Sequence, residues 1–198
     1  MDNRVYVFGR DSVPQHLRLE AGEELTMTLV MLPGTDLRIP LEVDLVGPGA
    51  SLDLAGVYLC PEAEHVDLRV LVKHAAPGCH SRQLFKGIVG GKADASFDGL
   101  IYVARDAQQT QAYQENHTLL LSDTARVESR PQLEIYADDV QCSHGATTGY
   151  LNPDELFYLR SRGIPEAEAR RLQMIAFLAP VLSRLPEELI EEIHAGLS

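Results

Sequence analysis

The stretch Leu41-Glu42-Val43-Asp44-Leu45 decides the fold class, because apolar and acidic side chains alternate along it. A period of two places the apolar residues on one face of a β-strand and the acidic residues on the other. The alternation returns at Ser51-Leu52-Asp53-Leu54, after the turn sequence Gly47-Pro48-Gly49. The sequence therefore predicts short, half-buried strands that are joined by tight turns.

The strand pattern extends from Arg4 to about Gly149 and recurs roughly every 8–14 residues. No convincing helical period interrupts it, which argues against a doubly wound α/β sheet and leaves a sandwich, a barrel or a β-solenoid. Charged residues between the apolar positions are interpreted as the solvated strand faces. Further segments with this pattern are residues 5–8, 25–29, 66–70, 96–101 and 132–135.

The pattern changes after Gly149, and helices are predicted from there to the end of the chain. Asn152-Pro153-Asp154-Glu155 has a capping Asn followed by proline at the first helical position, and Gly163 suits a C-terminal cap. A second helix begins near Pro165 and is bent or ended by Pro180, and a third begins at Pro186. We therefore divide the chain into an all-β body (1–149) and a helical segment (150–198). The predicted buried face of the second helix is Ala169, Leu172, Ile175, Ala176 and Ala179.

Composition narrows the class of protein. The 198 residues carry 17 basic and 29 acidic side chains, a net charge of −12, so nucleic acid and anionic membranes are poor partners. Three cysteines without a CxxC pair favour a reducing compartment over a disulfide framework. No signal peptide is visible, and the longest apolar run, 174–182, is too short to cross a bilayer. We expect a cytoplasmic domain that binds neither nucleic acid nor membrane.

Cys142 and His144 form the motif with the clearest chemical potential. Two residues apart on a strand, they point to the same face, ~6.6 Å apart along the chain. Thiolate and imidazole suit borderline and soft metals, including iron–sulfur clusters. A structural site usually needs four ligands, so the others would come from elsewhere in the fold or from a second chain. The alternative is a small core cysteine beside a hydrogen-bonded histidine.

Other sequence templates for catalysis give weaker signals. The chain has no phosphate-binding loop, no GxSxG and no HExxH. Asp138-Asp139 could be a carboxylate pair of a carbohydrate-active enzyme on a β-solenoid. Adjacent strand residues face opposite sides, however, so a turn explains this pair better.

From about Gly87 onward, ordered blocks such as Phe97-Asp98-Gly99-Leu100-Ile101-Tyr102-Val103 and Pro131-Gln132-Leu133-Glu134-Ile135-Tyr136 resemble the core family of the iron–sulfur cluster assembly proteins SufB and SufD. The resemblance tightens at residues 131–140 and continues into Cys142-Ser143-His144-Gly145-Ala146-Thr147, where SufB proteins typically carry an acidic residue after the histidine and this chain has Gly145. It is therefore similar to the SufD branch. Residues 1 to about 86 match only loosely. The other matching blocks are 107–110, 119–123 and 157–164.

The resemblance implies a right-handed parallel β-helix with a small C-terminal helical segment. It also implies a non-catalytic component of a complex with SufB-like and SufC-like subunits, in which the SufC-like ATPase supplies the energy. Cys142 and His144 would be the cluster-assembly and metal-binding residues at the interface with SufB. The nascent iron–sulfur cluster would be shared with that partner, and none would be bound by the isolated chain. The residues expected to bind the ATPase are Phe157, Tyr158, Arg160, Arg162 and Gly163.

Three further possibilities stay open on the sequence. An open strand edge also offers a surface for a homodimer. A β-solenoid can host a carbohydrate-active enzyme, since one fold carries many functions. The chain could also be an interaction module without a cluster function.

Overall fold

The computed structural model describes residues 3–34 and 36–197. Within them the chain forms eleven strands followed by three helices. The strands are β1 (Asn3–Val7), β2 (His16–Leu19), β3 (Glu24–Met31), β4 (Leu37–Leu45), β5 (Ser51–Cys60), β6 (His65–His74), β7 (His80–Val89), β8 (Asp94–Val103), β9 (Thr110–Leu120), β10 (Arg126–Ile135) and β11 (Val140–Tyr150). The helices are α1 (Pro153–Ser161), α2 (Glu166–Leu182) and α3 (Glu187–Ala195).

Two parallel sheets face each other. One contains the odd-numbered strands in the order β1-β3-β5-β7-β9-β11, and the other contains the even-numbered strands from β2 to β10. Each strand pairs with the second strand after it in the sequence. The chain therefore alternates between the two sheets, and every two strands complete one turn. The result is a β-solenoid of about five turns. This confirms the predicted parallel β-helix with a C-terminal helical segment.

The interior of the solenoid is filled by the side chains that the period of two directs inward. On β8, for example, Ala95, Phe97, Ile101 and Val103 are buried. Close packing between neighbouring strands depends on small residues at positions paired with large ones, as where Gly87 of β7 is paired with Tyr58 of β5. A Cβ atom on Gly87 would lie 2.0 Å from the ring of Tyr58, so glycine makes the space that the tyrosine occupies.

Helices α2 and α3 cover the outer face of the odd-numbered sheet. Leu178, Val181 and Ile193 pack with Val57 and Ile88 in one hydrophobic cluster. Burial of such aliphatic side chains contributes roughly 1.5–3 kcal/mol each. Polar contacts reinforce the junction, because Arg184 after α2 donates to both carboxylate oxygens of Asp53, at 2.8 and 2.9 Å. The helices therefore share a core with the sheet.

The predicted helix ends are confirmed. The side chain of Asn152 accepts hydrogen bonds from the N–H groups of Asp154 and Glu155 at the start of α1. Gly163 follows that helix with a φ of +86°, the left-handed conformation that glycine adopts most readily. Within the two described ranges, no helix is both long and apolar enough to cross a membrane.

For α2, one of the two alternatives for Pro180 is excluded, and the expected buried face is wrong. Pro180 does not end the helix, which continues to Leu182. The predicted buried face is also rotated, since Leu172, Ala176 and Ala179 are exposed. Larger side chains on a neighbouring face bury more apolar area against the sheet than alanine can, so that face packs instead. The buried residues of α2 are Ala169, Gln173, Met174, Leu178, Val181 and Leu182.

Candidate functional site

Cys142 and His144 lie on β11, the last strand of the odd-numbered sheet. In the register with β9, Cys142 is opposite Ala112 and His144 is opposite Gln114. Ala112 and Gln114 are buried inside the solenoid. Side chains at paired positions of neighbouring strands lie on the same face of a sheet. Cys142 and His144 therefore lie on the same face of the strand, as their spacing predicts, and the register shows that it is the inner face of the last turn.

The two candidate ligands differ in environment. Cys142 is half-buried and packs against the small apolar cluster that contains Ile101, Val103 and Ala112. Burial raises the pKa of its thiol, although a hydrogen bond from the backbone of Ala112 opposes the effect. The sulfur is thus protonated at neutral pH, and a bound metal ion would have to displace the proton.

His144 is exposed, and its side chain makes no hydrogen bond to any residue that the structure describes. Its two ring nitrogens are therefore accessible to a partner. Imidazole nitrogen is a good ligand for iron, zinc and copper. Cys142 and His144 can supply one sulfur and one nitrogen ligand from a single strand, but among the described residues they do not belong to a cluster of three or more possible metal ligands.

The turn that carries this pair is the open end of the solenoid. Alternate residues of β10 are exposed on one face and half-buried on the other, and most of β11 is exposed. Large apolar side chains remain accessible around this end, namely Ile135, Tyr136 and Tyr150. Exposed apolar residues next to unpaired strand edges are typical of surfaces that another protein covers.

A second exposed surface lies on α1, which has no buried residue. Phe157 is 75% exposed and Tyr158 is 57% exposed, although aromatic rings of this size are usually covered. Arg160 pairs with Glu166 at 3.3 Å, and the guanidinium of Arg162 lies 5.2 Å from the centre of the Tyr158 ring. The five residues expected to bind the ATPase thus form one exposed helix end.

An apolar groove adjoins α1, and sequence reasoning missed it. Its volume is about 730 Å³ and it runs between α1, α2 and the ends of β9 and β11. Leu172 and Ala176, which were predicted to face the core, line the groove instead. In the sequence, the apolar character of these two residues is the only feature that could have indicated the groove. Other residues that line it are Leu119, Tyr150, Tyr158 and Phe177.

A potential metal-binding cluster at the opposite end of the solenoid was also missed. One ligand atom each from His16, Glu42 and Asp44 lies within 4.8 Å of the others. The sequence carries no local signal, because the register of β2 with β4 brings His16 beside Glu42. Lys73 already hydrogen-bonds Glu42 and lies 4.0 Å from Asp44, so an ammonium group neutralises the carboxylates.

Asp138 and Asp139 lie in the connection between β10 and β11. The backbone N–H groups of both donate to the side-chain oxygen of Gln108, at 3.2 and 2.9 Å. The interpretation of this pair as a turn is confirmed.

Comparison of the sequence with known proteins identifies the family that this chain matches. A sequence profile described as "SUF system FeS cluster assembly, SufBD core domain" matches residues 11–177. The match therefore begins well before Gly87, where the recognisable motifs begin. From residue 11 onward, the segment before Gly87, whose motifs resemble the family only loosely, is thus part of the match.

Individual relatives agree with the profile. The iron–sulfur cluster assembly protein SufD of Escherichia coli is 41% identical over 158 residues, which are 80% of this chain and 37% of the relative. An iron–sulfur cluster assembly SufBD family protein of Mycobacterium tuberculosis is 35% identical over 191 residues, 92% of this chain and 48% of the relative. The chloroplastic protein ABCI7 of Arabidopsis thaliana is 37% identical over 179 residues, 89% and 37% respectively.

The chain spans less than half the length of these three relatives. The aligned part nevertheless includes most of the solenoid and the start of the helical segment. Because the family profile matches most of the chain, and the parallel solenoid with its open last turn agrees with it, the chain belongs to the SufBD core family of iron–sulfur cluster assembly and is SufD-like.

Proposed function

We propose that this chain is a non-catalytic, SufD-like component of an iron–sulfur cluster assembly complex with a SufB-like subunit and a SufC-like ATPase. The observation that carries the proposal is the exposed imidazole of His144 on the inner face of an uncovered terminal turn. Relatives named for iron–sulfur cluster assembly support the same role. Three free cysteines fit a reducing compartment such as the cytoplasm.

The nascent cluster is the cargo of this complex. His144 supplies a nitrogen ligand, and Cys142 supplies a sulfur ligand once its proton is displaced. Two protein ligands do not complete the coordination of all the iron atoms of a cluster. The cluster is therefore shared with the SufB-like subunit and is not held by the isolated chain. The open strand edges and apolar rim provide the surface against which that subunit packs.

The ATPase docks on α1 and the adjoining groove. Phe157 and Tyr158 offer large apolar area at an exposed position, and aromatic residues dominate the binding energy of many interfaces. Arg160 and Arg162 add positive charge at the same helix end, next to Gly163, which ends the helix. This surface lies on a different element from His144, so the two roles are separable by mutation.

The test of the cluster site is co-expression of this chain with SufB-like and SufC-like subunits, followed by anaerobic purification through a tag on this chain. We expect a stable complex whose iron and sulfide content falls several-fold in His144→Ala. The matched control is His65→Ala, an exposed histidine on β6 of the even-numbered sheet, which should leave both contents unchanged. A complex with normal iron in His144→Ala would make the chain an interaction module, and failure to form any complex would remove the proposal.

The same purification tests the docking surface. Phe157→Ala and Tyr158→Ala should lose the ATPase and retain the SufB-like subunit. Tyr136→Ala removes an equally exposed tyrosine at the open end and should retain the ATPase. Retention of the ATPase by both α1 variants would contradict the assignment. Light scattering of the isolated chain then decides whether the open edge also forms a homodimer.

A further inference from the structure

Three polar side chains occupy the same position on successive turns of the odd-numbered sheet. Gln83 on β7 is opposite Gln114 on β9, and Gln114 is opposite His144 on β11. On the preceding turn the position is taken by the buried Leu54. The inner face thus changes from aliphatic to polar along this row, and the row ends at the candidate cluster ligand.

The two glutamine amides of this row are deeply buried and incompletely paired. Both residues are 1% exposed, and Nε2 of Gln114 donates to Oε1 of Gln83 at 2.8 Å. Nε2 of Gln83 and Oε1 of Gln114 have no partner among the described residues. Turning both amides over keeps one hydrogen bond between them and still leaves one atom free on each. An unpaired buried polar atom lowers the free energy of unfolding by roughly 1–3 kcal/mol, so the burial of these two glutamines needs a physical explanation.

The neighbouring sheet is shaped to receive the Gln114 amide. A Cβ atom on Gly99 of β8 would lie 2.3 Å from Oε1 of Gln114, so a larger residue there would displace the amide. Gln83 holds the amide from the β7 side. The strand on the other side of β9 is β11, where His144 is the paired residue. An acceptor that lacks a partner among the described residues therefore belongs to the residue that is paired with His144, whose imidazole makes no hydrogen bond to them either.

We propose that Gln114 is a positioning residue for His144, whose ring N–H donates to Oε1 of Gln114 when the last turn is covered by the partner subunit. A fixed acceptor on one ring nitrogen selects one tautomer and leaves the lone pair of the other nitrogen for iron. Gln83 anchors the acceptor from behind. The consequence for iron rests on the proposed function of His144, whereas the hydrogen bond itself does not.

Loss of such an outer-shell hydrogen bond typically weakens metal binding by about 10- to 100-fold. In the co-purified complex, Gln114→Leu should therefore lower the iron content towards that of His144→Ala, and Gln114→Glu, which keeps an oxygen at the same position, should restore it. Gln111→Leu is the matched control, because Gln111 is on the opposite face of the same strand.

The decisive measurement is the tautomer of His144. The complex is prepared without iron and with ¹⁵N-labelled histidine in this chain, and long-range ¹H–¹⁵N spectra are recorded at about pH 8, where an unperturbed imidazole is neutral. We expect one tautomer to dominate in the wild type and in Gln114→Glu, and a mixture in Gln114→Leu. His117 reports on folding, because it bonds to Thr147 and Glu115 on the outer face.

Two results would overturn the inference. One is a tautomer mixture of His144 in the wild-type complex, and the other is a single tautomer that persists in Gln114→Leu. Because no iron is present in this experiment, its outcome is independent of the cluster assay. A Gln114-dependent tautomer together with normal iron in His144→Ala would refute the proposed function and leave the hydrogen bond established.

Discussion

His74 is a fully buried histidine whose protonation opposes folding. It ends β6 opposite Leu45 and Val103, both also fully buried. Its Nε2 contacts Oγ of Ser81 at 2.9 Å, and Nδ1 has no partner among the described residues. Burial, with a smaller contribution from nearby His80, lowers the pKa of His74 to about 4. Acidification should therefore destabilise the fold through this residue.

The size of the effect follows from the two pKa values. The unfolded chain has a histidine pKa of about 6.5, so between pH 6.5 and 4 the unfolded state binds a proton that the folded state does not. The stabilisation from neutral His74 is complete above the unfolded pKa and is lost as pH falls through the window. From pH 7.5 to 5.5 the loss is about 1.3 kcal/mol, and it reaches about 3 kcal/mol below pH 4.

Urea unfolding followed by circular dichroism at pH 7.5, 6.5 and 5.5 measures this loss, and all three values lie above the pI of 4.9. The comparison is His74→Leu/Ser81→Ala, which removes the titrating ring and the hydroxyl that it contacts. Over this range we expect the wild type to lose about 1.3 kcal/mol more than the double variant. His16→Leu, at an exposed ion pair with Asp44, controls for the removal of a histidine. Equal losses in the wild type and the double variant would refute the reasoning.

Four further substitutions test the packing of the interior, the cap of α1 and the ion pair between the helical segment and the sheet. Gly87→Ala should lower the free energy of unfolding in urea by about 3 kcal/mol or more, because its Cβ would overlap the ring of Tyr58. Gly145→Ala, with open space around it, should change that free energy by no more than about 0.5 kcal/mol, and equal effects of the two variants would contradict the packing. Asn152→Ala should cost about 1 kcal/mol of helix stability through loss of the N-cap, measured by thermal unfolding, and no change would show that the cap is dispensable. Arg184→Met should speed proteolysis within the helical segment, since its bidentate ion pair to the sheet is lost, and an unchanged cleavage rate would count against that link.

The parts of the fold that sequence predicted are those set by neighbours along the chain. The alternation at residues 41–45 places Leu41, Val43 and Leu45 inside the solenoid, where all three are buried. The Asn152 cap and the left-handed Gly163 also depend on a few adjacent residues. Local stereochemistry determines such features, so they can be derived before any tertiary contact is known.

The parts that sequence missed depend on residues about 30 positions apart. His16 meets Glu42 through strand register, and Gln83, Gln114 and His144 align through two successive registers. No local pattern encodes these pairings. Polar residues such as Gln114 also resemble surface residues in a sequence, although the structure buries this one almost completely.

The polar residues inside the last turns solve a problem that every solenoid has at its ends. An aliphatic terminal turn would leave its inner face in water or require a permanent cover. Here the inner hydrogen bonds begin before the last turn, where Tyr58 on β5 bonds to Asn116 and Thr118 on β9, and Asn116 bonds to Ser129 on β10. The final turn can then carry an exposed imidazole at His144 without exposing a large aliphatic core. The inner face of the open end is therefore compatible with water while it is uncovered, and under the proposed function it would present polar side chains, inside the apolar rim, to the partner subunit.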